Sequence, residues 1–148
     1  METTFLGKFN INILGVLFAT LLGQFISAMW FGPLFNKQWV KYCGWDEEQV
    51  KKYMSDKKRH RNSAIGSFIE TLISNVIFAF LFHSLNIETQ CGAATLAFLV
   101  WLGFMAPSTL NEVLWHGENP RFYFLNVSNY LVRTLAGGAV YTFVALYK

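Results

Sequence analysis

Four apolar stretches, each long enough to cross a lipid bilayer, are packed into a chain of 148 residues. They run over about 10–31, 63–84, 92–114 and 122–147. A hydrocarbon core about 30 Å thick needs roughly 20 helical residues at about 1.5 Å each. Little chain remains for a second domain. The whole of 1–148 therefore reads as one all-α domain, an integral membrane bundle of four transmembrane helices with an interfacial helical insert over 34–60.

Two rival folds are excluded by pattern. Charged residues make up 14% of the chain, against about 25% in average soluble domains. The run 65–82 has no polar face wide enough to meet water, which a soluble bundle requires. Strands of a β-barrel alternate with period two, and these runs do not. The opening METTFLGKFN has no basic region of a secretory signal and is not Arg-rich, so the first span is expected to act as its own uncleaved insertion signal.

Charge sets an expected orientation. Lys37, Lys41, Lys51, Lys52, Lys57, Lys58, Arg59 and Arg61 fall between the first two spans, and Arg121 between the last two. The other side holds only Lys8 and Lys148, while Arg133 lies within a span. Nine basic residues against two place both basic loops in the cytoplasm or the matrix and both termini opposite. The expected location is the plasma membrane of a prokaryote or an organelle inner membrane. Asp46, Glu47, Glu48 and Asp56 interleave the basic cluster. That argues for anionic lipid head groups as its partner and against nucleic acid. Cys43 and Cys91 fall on opposite sides, too far apart for a disulfide, and their spacing matches no metal motif.

Within the insert, Phe35, Trp39 and Tyr42 share one helical face, as in a helix lying among head groups. Asp46 reads as an N-cap with Gln49 completing a capping box. Lys57, Lys58 and Arg59 are expected to close that helix, where cations suit the dipole. Lys37, Lys41, Lys57, Lys58, Arg59, Arg61, Trp30, Trp39 and Trp115 are the expected head-group contacts, the tryptophans as an interfacial belt.

Inside the spans, Gly15, Ala19, Gly23 and Ser27 repeat at four-residue spacing. Such a row lets another backbone approach closely, either the fourth span with Gly137 and Gly138 or a second molecule. Pro107 should kink the third span by removing the bond to the Gly103 carbonyl. Asn75, Asn111, Glu112 and Asn129 are candidates to face the interior, because unpaired polar groups are costly in hydrocarbon. Glu70 lies roughly 12 Å in from the basic side, Arg133 roughly 17 Å and Glu112 roughly 4 Å. Arg133 leans back toward its helix N-terminus. Glu70 is therefore its expected partner, either as a structural salt bridge or as part of an ion or proton pathway. No nucleophile elbow, P-loop or metal-ligand pairing occurs, so neither catalysis nor a cofactor or metal is expected.

Met29-Trp30-Phe31-Gly32-Pro33-Leu34-Phe35, with Lys37 and Trp39, resembles the W-[YF]-x-P-L-F-G-K-x-W signature of a family of small four-helix membrane proteins catalogued as a domain of unknown function. Trp101-Leu102-Gly103-Phe104, then Leu110-Asn111-Glu112-Val113-Leu114, Gly117 and Phe124-Leu125-Asn126, resembles a second stretch of that family. The likeness runs along nearly the whole chain. It departs where Glu112 replaces the family's second Asn, where Glu118 follows Gly117, and where Ser128-Asn129-Tyr130 replaces Gly-Tyr-His. Arg133 stands in place of a small or apolar residue. The resemblance implies a fold and a membrane location, and no activity. The expected function is association without catalysis, as a homo-oligomer or an accessory subunit of a larger membrane complex. A small-solute or ion transporter or channel formed by an oligomer is the alternative.

Overall fold

The computed structural model describes residues 11–147, all of whose regular elements are helical. Lys8, Lys148, the opening decapeptide and the expected first helical residue at Asn10 lie outside the described residues. Helix α1 spans Ile13–Met29 and is capped by Asn12, whose side chain accepts from the Gly15 amide at 3.1 Å. A π-helical turn, Trp30–Leu34, follows. Gly32 leaves helical geometry there (φ −91°, ψ −108°), as the residue before a proline tends to do. The chain then re-enters helix as α2, Asn36–Cys43, which stops at Gly44 with φ +66°. Only glycine adopts that left-handed conformation without strain.

Helix α3, Glu47–Ser55, starts on the expected capping box. Gln49 N–H donates to Asp46 at 2.7 Å, and the Asp46 N–H donates back to Gln49 Oε1 at 3.0 Å. Its end differs from expectation. α3 stops at Ser55, and α4 runs unbroken over Lys57–Ser84. Asp56 is the reason. Its carboxylate accepts from the Arg59 amide at 2.9 Å and nucleates a new helix. Lys57, Lys58 and Arg59 thus open α4 instead of closing α3. The positive dipole end disfavours cations, but these side chains are exposed and water screens the repulsion. At about 1.5 Å per residue, the 28 residues of α4 measure roughly 42 Å, so its basic end projects beyond a bilayer core.

After a turn in which Asn86 takes φ +50°, α5 spans Gln90–Val100. A π-helical segment, Trp101–Met105, joins it to α6, Ala106–His116. Pro107 is absorbed by this wider turn, so the third apolar stretch stays helical from Gln90 to His116. Gly117 (φ +69°) ends α6, and α7 follows over Pro120–Leu146.

Among the described residues, three helical stretches are long and apolar enough to cross a membrane: Ile13–Leu34, Lys57–Ser84 and Gln90–His116. α7 has the length, 27 residues, but carries Asn126, Ser128, Asn129, Arg133 and Thr134 in sequence. It packs most extensively on α1 and then on α5, with Gly137, Gly138, Tyr141 and Thr142 buried. Its polar groups therefore meet protein instead of the surroundings. The core is Val16, Phe78, Ala79, Phe82, Ala93, Leu96, Ala97 and Tyr141. α4 leans mainly on α1 and touches α5 and α7 only briefly. This leaves a lateral gap on that side of the bundle.

Candidate functional site, a polar cleft between helices

Small residues on α1 allow the site to form. Gly15, Ala19 and Gly23 are buried, and the helices they meet belong to the same chain. A β-carbon at Gly15 would stand 3.0 Å from the Tyr141 ring, and one at Gly137 would stand 3.8 Å from the Ala19 side chain. A β-carbon at Gly23 would stand 3.0 Å from Thr71 on α4. The row thus seats α1 against both α7 and α4, and its expected second-molecule alternative is not needed to cover it. Ser27 continues the row, donating to Asn129 Oδ1 at 3.2 Å.

Beside this seam runs a chain of polar groups. Arg133 Nη2 donates to Glu70 Oε2 at 3.0 Å and also to the Thr71 hydroxyl. Its guanidinium carbon lies 5.5 Å from the Tyr130 ring centroid, close enough for a cation–π contribution. Gln24 Nε2 donates to Thr71 Oγ1 at 2.8 Å and to the Ser67 carbonyl at 2.9 Å. One turn along, Asn75 Nδ2 donates to Thr20 Oγ1 at 3.2 Å. The two charges are unequally placed. The Arg133 side chain is 11% exposed and that of Glu70 is 49% exposed. Buried nitrogens remain without a hydrogen-bond partner at Arg133 Nε and Asn129 Nδ2.

The pair closes one end of a cleft of about 330 Å³. Its apolar walls come from α4 (Ile73, Ile77, Phe78, Leu81) and from Val100, Phe104 and Met105 around the π-helical segment. Trp101 holds that wall, since its indole N–H donates to the Val127 carbonyl of α7 at 2.8 Å. Ser74, Tyr130 and Thr134 add hydroxyl groups near the charged end.

Other expected interior groups lie elsewhere. Asn111 and Glu112 are exposed, and Glu112 contacts His116 at 2.6 Å across one helical turn. Gly103, Pro107 and Asn111 are all exposed, so the four-residue row keeps to one face, and that face turns away from the bundle interior. Trp39 is half-buried and packs on Trp45 and Tyr53, with ring centroids at 5.0 and 5.6 Å. Trp30 is half-buried and donates to the Leu125 carbonyl at 3.2 Å. Trp115 is 82% exposed. Lys37, Lys41, Lys57, Lys58, Arg59 and Arg61 are exposed, and Arg59 also lies over the Tyr53 ring at 5.1 Å.

Sequence reading missed Gln24 and Thr20. Each is a lone polar residue four apart in an apolar run, on the flank of the glycine row, and that spacing was the available signal. It also missed the His83 Nε2 contact with the Tyr141 hydroxyl, 2.8 Å long, at the opposite end of the bundle. Among the described residues no three His, Cys, Asp or Glu side chains gather as a metal site would require.

The profile of a family described as a protein of unknown function, DUF1761, aligns with residues 14–142. No curated protein and no solved structure matches the chain.

Proposed function

The chain belongs to the DUF1761 family, and we propose that it is a four-span, non-enzymatic membrane protein that acts by association, as a homo-oligomer or as an accessory subunit of a larger membrane complex. In this reading α7 is the fourth span, and its polar groups are carried across the bilayer by the contacts they make with α1 and α4. The basic segment 37–61 faces the cytoplasm or matrix against anionic lipid, and both termini lie opposite.

One observation carries the reading. Glu70 sits roughly 12 Å inside the span, yet nearly half of its side chain is uncovered. A carboxylate facing hydrocarbon is costly, and intramembrane charges turn to protein or to a wet cavity. The face bearing Glu70 therefore calls for a cover from outside the chain. Exposed Ile69, Ile73 and Ile77 extend the same face of α4 as an apolar rim.

The test is the mass of the full chain purified in mild detergent. One chain weighs 17.0 kDa. A homo-oligomeric mass or a stoichiometric foreign membrane subunit supports association. A lone 17.0 kDa species at all protein concentrations, in detergent and in nanodiscs alike, sinks it. The alternative is an oligomeric transporter or channel for a small solute or ion. It draws on the π-helical joint Trp101–Met105 beside the charged pair, because such joints permit rearrangement within a helix. Solute or ion flux in proteoliposomes that is lost on Glu70→Gln would favour it.

A further inference from the structure

A cleft of about 330 Å³ adjoins the Glu70–Arg133 pair. We propose that it binds an uncharged single-chain amphiphile, with a hydroxyl-bearing head group at Glu70 and Arg133 and the hydrocarbon chain lying along Ile77, Phe78 and Leu81. The inference rests on the membrane placement given above and not on the association itself.

Size selects the kind of occupant. The cleft, about 330 Å³, falls at the lower end of the roughly 300–1,000 Å³ of small-molecule sites. It is too narrow for a helix, whose diameter with side chains is about 10–12 Å. A single hydrocarbon chain fits, and the walls it would touch are apolar.

Charge selects the head group. One carboxylate and one guanidinium bonded at 3.0 Å leave the end of the cleft with no net charge. An ionised head group of either sign would meet a like charge at close range in a medium that screens poorly. Hydrogen-bonding capacity remains at this end. The Glu70 carboxylate is half uncovered and accepts. Ser74 and Tyr130 line the same cleft, and their hydroxyl groups can donate or accept. A head-group hydroxyl, at once donor and acceptor, pairs with both kinds of group.

The direction of the chain follows from α4. Residues 73, 77 and 81 lie one, two and three turns beyond Glu70, away from the basic end at Lys57. The bound tail therefore points toward the side opposite the basic loop, and the head group lies in the half of the bilayer nearer to it.

The test uses the full chain in phosphatidylcholine nanodiscs and a monoolein analogue with a diazirine in its acyl chain. Irradiation should label the peptides containing Ile77–Leu81 and Phe104. Unlabelled 1-monoolein should compete about tenfold better than oleate or oleylamine. Ile77→Trp, at a position already half exposed, should fill the cleft and suppress labelling. Equal competition by all three compounds would overturn the head-group assignment. Absence of cleft labelling in a particle of unchanged mass would overturn the site. A monomeric mass with selective labelling would support the site and sink only the association reading.

Discussion

Gly138 lies so close to Phe78 that a β-carbon at 138 would stand 2.9 Å from the ring Cζ. This is where α7 meets α4 in the core, and the ring, 5% exposed, would have to shift toward the cleft it lines. Gly66, on the same α4, has nothing within 4 Å of a β-carbon. The two glycines thus give opposite expectations for one substitution. Gly138→Ala should lower stability by about 1–3 kcal/mol through overpacking. Gly66→Ala should be neutral or stabilise by up to about 1 kcal/mol through helix propensity. Thermal unfolding of both variants in one detergent checks the contrast, and equal effects would refute the packing account.

The Glu70–Arg133 pair should behave asymmetrically. Glu70→Gln strands a guanidinium that is almost covered, while Arg133→Gln leaves a carboxylate that is half uncovered. Glu70→Gln is therefore expected to cost more, about 1–3 kcal/mol. The double variant should recover part of the loss, because no charge is then left alone. A double-mutant cycle on denaturation curves gives the coupling. A coupling of zero would mean that Thr71 and Tyr130 alone satisfy Arg133.

Cysteine labelling tests the orientation. Cys91 is exposed at the start of α5, and Cys43 is half-buried at the end of α2. A membrane-impermeant maleimide should reach Cys91 from outside sealed cells and Cys43 only after permeabilisation. The reverse order would invert the topology.

Cys43 should also react slowly once accessible. Burial raises its thiol pKa, and the nearby Glu118 charge raises it further. A raised pKa means less thiolate at neutral pH, and the thiolate is the nucleophile. Its labelling rate should keep climbing to higher pH than that of a free cysteine peptide. Glu118→Gln should shift the profile down in pH, and an unmoved profile would leave burial as the whole cause.

Trp101 anchors the wall of the cleft to α7 through one hydrogen bond of 2.8 Å. Trp101→Phe keeps a ring and removes the donor. The expected loss is about 1 kcal/mol, with faster deuterium exchange confined to Val100–Met105. Loss of exchange protection throughout α7 would show that the indole holds the bundle instead of the joint.

The sequence by itself determined whatever depends on neighbours along one helix. Apolar run length gave the all-helical class and four expected spans, of which three appear as membrane-capable helices among the described residues. Asp46 and Gln49, three residues apart, gave a capping box that the structure contains. The four-residue rows placed Gly15, Ala19 and Gly23 on one packing face, because residues four apart share a helix surface whatever lies beside it. Tertiary structure alone decided which helices fill which gaps. Periodicity carries no information about rotation between helices, so it could not assign Gly15 to Tyr141 or Gly23 to Thr71. Which face of the third apolar stretch turns inward was a matter of packing, and Gly103, Pro107, Asn111 and Glu112 came out exposed. Asp56 closed off α3 and restarted the chain as α4. Depth along two parallel spans was enough to bring Glu70 and Arg133 to nearby levels. That Arg133 is covered while Glu70 stands half open to a cleft depends on α4 leaning on α1 and away from α5, a packing choice that side-chain volumes on three helices make together.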